Sequence, residues 1–514
     1  MSTKAVSKGI VSVGGWSVAK LATSAVVLPI LARFLGIEGY GQYAYYLALL
    51  LLASQFANLG MMQTMTKRIA ERPDDPFWCR HIAQAGALIN GVGVLFVGAV
   101  TGVLIWSTAS PGTAALPIAF VVVGVLLFDQ VWFYARGVLY GLRHEERAAV
   151  PGIIGVVAAG VLGVIAAMNG MGVVGVFAGL LAADVFVALA CLRAVTLALG
   201  EPDREQPVGL APLPTQALLR FGVSAMVFSV FNMALCSLDI ILVRHLAGEA
   251  QAGLYAAAVQ WSQFVWFIPI AVEGVMLQAT ARFWAEERVE EVSTLVSRLL
   301  RYVMLGTVFL LLLVFVLGDR IVTLYFGPEF AEAAIVLRVL IPGAFCYALA
   351  RVLWPVIQAG GDGVFLIRVM VTTVVVDVGL SRALIPTWGA AGAAFATSAA
   401  FVLVAIGYVW VLRRRQVRIF EGLAASRLVG LLLGTGLAVA GAAAFVADPI
   451  ASIVVGGVVG ALGFWSGVIW LGLVQIEEVG LMVQSLPGSF RHTGETVFRV
   501  VAPVLLRLKA VAPY

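Results

Sequence analysis

The chain has 514 residues, 61% of them apolar or aromatic and only 12% charged, with a net charge of +5 and a mean hydropathy of +1.01. A soluble domain is about 45–50% apolar and about 25% charged, so 33 basic and 28 acidic residues are too few to wet a globule of this size. Disorder is excluded by the same figures, and 55 glycines without a three-residue period exclude collagen; what remains is a membrane protein facing lipid.

A helix needs about 20 apolar residues to cross the hydrocarbon core. Fourteen segments meet that requirement: 10–35, 40–62, 83–107, 114–135, 148–168, 171–193, 218–243, 252–280, 302–318, 335–359, 366–385, 389–412, 428–447 and 450–474. Lys4 and Lys8 precede the first, which is too long for a signal-peptide core and has no small-residue cleavage pattern after it. Joins such as Asn169-Gly170 and Asp448-Pro449 demand helical hairpins, because no unsatisfied backbone can face lipid. Phe283 to Leu300 and Val497 to Lys509 read as amphipathic helices lying at the interface. No loop is long enough for a catalytic domain, so the reading is a transporter and not an enzyme.

With a cytoplasmic N-terminus, 26 of the 33 lysines and arginines fall on cytoplasmic segments and helix feet, Arg136, Arg220 and Arg368 among them. Four lie on the opposite side (Arg33, Arg244, Arg320 and Arg338), and Lys20, Arg351 and Arg382 lie inside spans. That asymmetry places both termini in the cytoplasm. It also accounts for the basic balance without a nucleic-acid partner. The four cysteines and four histidines are scattered, and no disulfide framework or metal site is expected.

Short segments recur along the chain. Arg33-Phe34-Leu35-Gly36 pairs with Arg244-His245-Leu246-Ala247, Gly41-Gln42-Tyr43-Ala44 with Gly253-Leu254-Tyr255-Ala256, and Gly172-Val173-Val174-Gly175 with Gly389-Ala390-Ala391-Gly392. The offsets are 211, 212 and 217 residues, six spans apart, which implies two parallel six-helix bundles. The expected division is an N-terminal bundle over 1–200, a cytoplasmic linker over 201–215, a second bundle over 216–415, two unmatched helices over 416–476 and a cytoplasmic tail over 477–514. Transporters built from such repeats carry their site at the repeat interface.

Gly170-Met171-Gly172-Val173-Val174-Gly175 fits the dinucleotide fingerprint, but it joins two spans and reads as a tight turn with small-residue packing. No phosphate-binding loop of the Walker type occurs: Gly15-Trp16-Ser17-Val18-Ala19-Lys20 lacks the glycine before its lysine. Ionisable residues within spans cost about 2.5–3.5 kcal/mol each at a helix centre and normally face a cavity or one another. Here they are Lys20, Asp129, Asp184, Asp239, Glu273, Arg351, Asp377 and Arg382. The cations suit an anionic substrate and the acids suit proton or cation coupling; interhelical ion pairs or snorkelling to an interface are the structural alternatives. Pro29, Pro269, Pro342 and Pro355 interrupt spans and mark candidate bends.

Ser237-Leu238-Asp239-Ile240-Ile241-Leu242 followed by Gly253-Leu254-Tyr255-Ala256 resembles a signature of the polysaccharide-transport oligosaccharide flippases of the MATE-like (MOP) superfamily. Arg33-Phe34-Leu35-Gly36 with Tyr40-Gly41-Gln42-Tyr43, and Trp388-Gly389-Ala390-Ala391-Gly392-Ala393-Ala394-Phe395-Ala396, are similar to further motifs of that family. The resemblance spans roughly residues 5–480 and implies an all-α MATE-like fold of about fourteen transmembrane helices. It implies an inner-membrane flippase moving undecaprenyl-pyrophosphate-linked glycans for O-antigen, exopolysaccharide or capsule synthesis by alternating access. A cationic cavity is then expected, for which Lys20, Arg220, Arg351, Arg368 and Arg382 are the candidates. Asp129, Asp239, Glu273 and Asp377 are the candidates for proton or sodium coupling or for structural pairing, and no other cofactor is expected. The implied partners are the lipid-linked glycan, membrane lipids, and a polysaccharide polymerase with its assembly proteins. A lipid II flippase and a drug/cation antiporter of the same superfamily are the alternatives; Lys20 in the first span, with no acid beside it, favours an anionic substrate over a cationic drug.

Overall fold

The computed structural model describes residues 3–108, 115–200, 215–420 and 425–474; the linker over 201–214 and the tail with its expected helix over 497–509 lie outside them. The described residues form α-helices and one 3-10 turn, with no strand. In order they are α1 (Thr3–Asn58), α2 (Met61–Glu71), α3 (Pro76–Thr108), α4 (Ala115–Gly141), α5 (Glu145–Met168), α6 (Gly172–Leu199), α7 (Thr215–Ala247) and α8 (Glu249–Phe264). There follow α9 (Phe267–Ala285), α10 (Val289–Phe326), α11 (Ala333–Ala359), α12 (Gly363–Trp388), α13 (Ala390–Arg414), α14 (Ala425–Ala444) and α15 (Pro449–Trp470).

Twelve of these helices are long and apolar enough to cross a membrane, thirteen if α8 and α9, bent by 49° at their break, make one span. Helix α1 is itself two limbs, because Gly36 adopts φ 68°, ψ 177° and kinks the chain there. Counted as two spans, it brings the total to the fourteen read from hydropathy. The α8–α9 break falls at Val265 and Trp266, the carbonyl of Val265 being the one that Pro269, lacking an N–H, leaves without its helical donor. Pro342 and Pro355 instead sit inside the continuous helix α11, and Pro29 sits within the first limb of α1.

Two expectations need correction. Residues 283–300 are no separate interfacial helix: they are divided between the end of α9, a turn at 286–288 and the start of α10, which runs unbroken from Val289 to Phe326 because no glycine or proline interrupts the chain before the apolar segment begins. Residues 61–71, read partly as the end of the second span, form the short helix α2, which buries Met61, Thr64, Met65 and Ile69 on one face. The hairpin between α5 and α6 is as expected. Gly170 and Gly172 both have positive φ (71° and 59°), and a Cβ on Gly175 would lie 2.3 Å from that of Met171. At the other short join Asp448 caps α15, its Oδ1 accepting from the Ala451 N–H at 2.7 Å.

By contacts the chain divides into two compact units, Met1–Ala257 with Ile367–Ala400, and Ala258–Leu366 with Phe401–Tyr514. Lipid tails are as apolar as leucine, so helices associate in membranes through close packing and not through the hydrophobic effect. In the first unit α5 meets α1 and α6 along a face of buried Gly152, Gly155, Gly160 and Gly163. The segments that recur in sequence also meet there: a Cβ on Gly41 would fall 2.0 Å from the Glu249 carbonyl oxygen, and one on Gly253 would fall 2.3 Å from that of Ile37. Beside them Arg244 pairs with Glu249 at 3.2 Å, lies 4.0 Å from the Tyr45 ring centroid and donates to the Thr108 carbonyl, while Gln42 donates to Glu249. In the second unit α10 packs on α14 and α15 through Phe309, Leu313, Leu317, Val439 and Phe464, and Arg320 donates to the Ala443 carbonyl at 2.8 Å and to Ser452 Oγ.

Candidate functional site

Charged and polar side chains within the spans gather at three places. The first is built by α1 and α4 in unit 1. Trp16 and Lys20 stand one helical turn apart on α1, as do Trp132, Arg136 and Tyr140 on α4, so each aromatic ring shares a face with a cation. The Lys20 ammonium lies 5.5 Å from the Trp16 centroid; the Arg136 guanidinium lies 4.6 Å from Trp132, 5.2 Å from Tyr140 and 5.4 Å from Trp16. The two indoles are 5.4 Å apart and inclined by 49°. Asp129 is near enough to interact with both cations. It is fixed by Ser54, which donates to Asp129 Oδ2 at 2.7 Å and accepts from Gln130 Nε2 at 2.7 Å. Asn90 donates in turn to the Gln130 carbonyl. Among the described residues Trp16 Nε1, Trp132 Nε1 and Arg136 Nε have no acceptor. A cation within a span normally faces a cavity or a counter-charge, and Arg136 makes no ion pair with any described residue.

The second place, also in unit 1, is a buried acid pair. Asp239 on α7 accepts from Ser381 Oγ at 3.0 Å through one oxygen, and its other oxygen lies 2.6 Å from Thr397 Oγ1 and 3.2 Å from Tyr255 OH. Tyr255 and Thr397 are 2.7 Å apart. Asp377, one turn before Ser381 on α12, comes within hydrogen-bonding reach of Asp239, and its Oδ1 has no partner among the described residues. Both carboxyls are essentially inaccessible to solvent. Two facing carboxyls ringed by hydroxyls are satisfied together by one proton or one small cation.

The third place lies in unit 2. Arg351 on α11 donates to Glu273 on α9 at 2.7 Å, and the pair opens on a cavity of about 310 Å³ lined also by Ile270, Leu277, Trp354 and Pro355.

Of the cations singled out from sequence, Lys20 is in the first cluster and Arg351 is neutralised by Glu273. Arg368 and Arg382 are exposed on α12 and make no ion pair with any described residue. Arg220 belongs to α7, and its side chain lies outside the described residues. Of the acids, Asp129 joins Lys20, Asp239 joins Asp377, and Glu273 joins Arg351. Asp184 is half-buried on α6, near enough to Asp129 to interact with it. Arg136 escapes a reading based on charge asymmetry, because a cation near a helix end passes for a topology marker. The signal that finds it is the spacing Trp132-x-x-x-Arg136, which repeats Trp16-x-x-x-Lys20.

Comparison with known proteins places this geometry in a family. The family model described as polysaccharide biosynthesis protein matches residues 7–270, and that of the lipid II flippase MurJ matches residues 148–459. No curated protein sequence matches the chain. Among solved structures, a lipid II flippase MurJ in an inward closed conformation superposes with a TM-score of 0.69 at 12% identity, over 90% of this chain and 99% of that one. An inward-facing multidrug resistance MATE transporter of the MOP superfamily gives 0.60 at 16% identity, over 79% and 96%. A MOP superfamily transporter from Pyrococcus furiosus gives 0.55 at 16% identity, over 79% and 95%. At these identities the structural likeness shows the fold alone, and the family follows from the sequence matches: the chain is a multi-pass membrane protein belonging to the polysaccharide biosynthesis protein family.

Proposed function

We propose that the chain is a flippase for polyprenyl-diphosphate-linked oligosaccharide, carrying it from the cytoplasmic to the outer leaflet of a bacterial inner membrane with both termini in the cytoplasm. The observation that carries this reading is the pair Lys20 and Arg136, two cations set among aromatic rings within the spans of unit 1. A diphosphate needs positive charge to enter a low-dielectric region, and a cationic drug would be repelled there. The polyprenyl tail needs no protein cavity, because it stays in lipid. Asp239 and Asp377 supply the coupling: taking up and releasing a proton or a sodium ion at this buried pair biases the exchange between inward- and outward-open forms. Peptidoglycan precursor is the second reading, favoured by the match of residues 148–459 to the lipid II flippase family; it carries the same diphosphate.

The test is a leaflet assay with purified protein in liposomes. A fluorescent polyprenyl-diphosphate oligosaccharide becomes accessible in the opposite leaflet at a rate at least tenfold above empty liposomes, and Lys20→Ala or Arg136→Ala removes that gain. Protein-independent movement, or full transport in both variants, overturns the reading. Competition by lipid II, and not by the oligosaccharide lipid, selects the second reading.

A further inference from the structure

The first cluster contains more than a diphosphate requires. Two indoles inclined at 49° form a corner whose rings are both half-buried, with Lys20 exposed at one rim and Arg136 against the other indole. The corner is seated on α5: a Cβ on Gly152 would lie 3.1 Å from Trp16 Cδ1 and 3.3 Å from Trp132 Cζ2, so both rings rest on backbone and not on a side chain. Three donors, Trp16 Nε1, Trp132 Nε1 and Arg136 Nε, find no acceptor among the described residues. Leaving a buried donor unpartnered is costly, a cost removed by a ligand that brings acceptors. A pyranose ring has an axial face of C–H groups that packs on an indole and a rim of hydroxyls that accept from N–H. A phosphate on its anomeric carbon would meet the ammonium and the guanidinium.

We propose that Trp16, Trp132, Lys20 and Arg136 form a carbohydrate-binding corner in unit 1 that takes a glycosyl phosphate, the sugar stacked on the indoles and its phosphate held by the two cations. This rests on the flippase reading and adds to it: the protein recognises the sugar joined to the diphosphate and not the diphosphate alone. Trp16 lies toward the start of α1 and Arg136 toward the end of α4. With the termini cytoplasmic, that is the end where newly made substrate arrives. Lipid without its first sugar is therefore discriminated against at loading. Any pyranose offers an apolar face, so the corner tolerates different sugars.

Binding to the full-length protein in lipid nanodiscs tests this, by thermophoresis with four probes: a short polyprenyl diphosphate, bare or carrying one glucose, galactose or N-acetylglucosamine. The unmodified protein is expected to bind each glycosylated probe about tenfold more tightly than the bare one. Trp16→Leu and Trp132→Leu bring that ratio close to one while changing bare-diphosphate binding less than about twofold. Lys20→Gln and Arg136→Gln weaken all four probes and keep the ratio. If a leucine variant fails to insert, Trp16→Met and Trp132→Met remove the ring at similar volume and carry the same expectation. Equal binding of bare and glycosylated probes by the unmodified protein, or an undiminished ratio in the tryptophan variants, overturns the corner and leaves the flippase reading standing. Failure of all four probes to bind overturns the flippase reading itself.

Discussion

Gly41 and Gly253 are packed backbone against backbone, although 212 residues separate them in the chain. Each would drive a methyl group into a carbonyl of the facing segment, at 2.0 Å for Gly41 and 2.3 Å for Gly253. The two helical hairpins approach this closely because neither carries a side chain there. Gly41→Ala and Gly253→Ala are each expected to cost about 1–3 kcal/mol through forced displacement, read as a lowered thermal midpoint in detergent. Gly91→Ala, with open space around its Cβ, should leave the midpoint unchanged or raise it. Equal midpoints for all three variants would contradict the packing.

Coupling through the acid pair makes a separable prediction. Asp377→Asn leaves Asp239 with its hydroxyl partners Ser381, Thr397 and Tyr255 but removes the second carboxyl. Transport in liposomes should then persist as slow equilibration and lose its response to an imposed proton or sodium gradient. Asp239→Asn should depress transport at least tenfold with insertion intact. A gradient response retained in Asp377→Asn would rule out the pair as the coupling element.

Arg351 and Glu273, each about one-fifth exposed, stand between a surface pair worth under about 1 kcal/mol and a buried one whose rupture costs about 3–5 kcal/mol. Arg351→Ala should therefore lower stability by about 1–3 kcal/mol, and Arg351→Ala with Glu273→Ala should recover part of that loss. Thermal midpoints of the four-member cycle give the coupling directly. Additive losses would mean that the two side chains act independently.

The cap of α15 gives the simplest check of helix-end geometry. Asp448→Ala removes the acceptor of the Ala451 N–H and should cost about 1 kcal/mol. Asp448→Asn, which keeps an acceptor, should cost less. Chemical denaturation in mild detergent distinguishes the two.

The turn between α9 and α10 is fully exposed and predicts the opposite behaviour. Hydrogen bonds from Arg282 and then from Arg288 hold the Glu286 carboxyl below its usual range. A carboxylate so depressed stabilises the fold above its unfolded value, and that contribution disappears as pH falls through the folded one. Solvent screens the pair, so Glu286→Gln should leave the thermal midpoint at pH 7 unchanged. Any difference from the parent should narrow, not widen, below pH 4.

Hydropathy made the spans legible because lipid enforces one rule over some 20 residues at a time. The exceptions arose where that rule is silent. The start of α10 looks separate in the sequence because its charges interrupt the apolar run, whereas the backbone continues helical through them. Helix α2 leaves no hydropathy signal, because a helix of eleven residues buries its methionines against protein and needs no span-length run. Asp239 stood out through its neighbours, and Tyr255 from the same signature proves to be one of its partners. Arg136 was hidden by its position near a helix end, and the tryptophans by their frequency at membrane interfaces. Even the Trp-x-x-x-cation spacing is ambiguous alone: Trp410 and Arg414, 3.9 Å apart at the exposed end of α13, share it without a second indole. Only the meeting of α1 with α4 singles out the other two.

Arg320 bears on how the protein is made. Its guanidinium on α10 is satisfied by the Ala443 carbonyl and by Ser452, and Ser452 leaves the ribosome 132 residues later. At about 5–20 residues per second, α10 waits on the order of ten seconds with that cation lacking its acceptors. The last hairpin is thus a closing step of biogenesis. A nascent chain arrested before Ala443 leaves that guanidinium without the two acceptors that fix it, and α10 without the hairpin that packs on it.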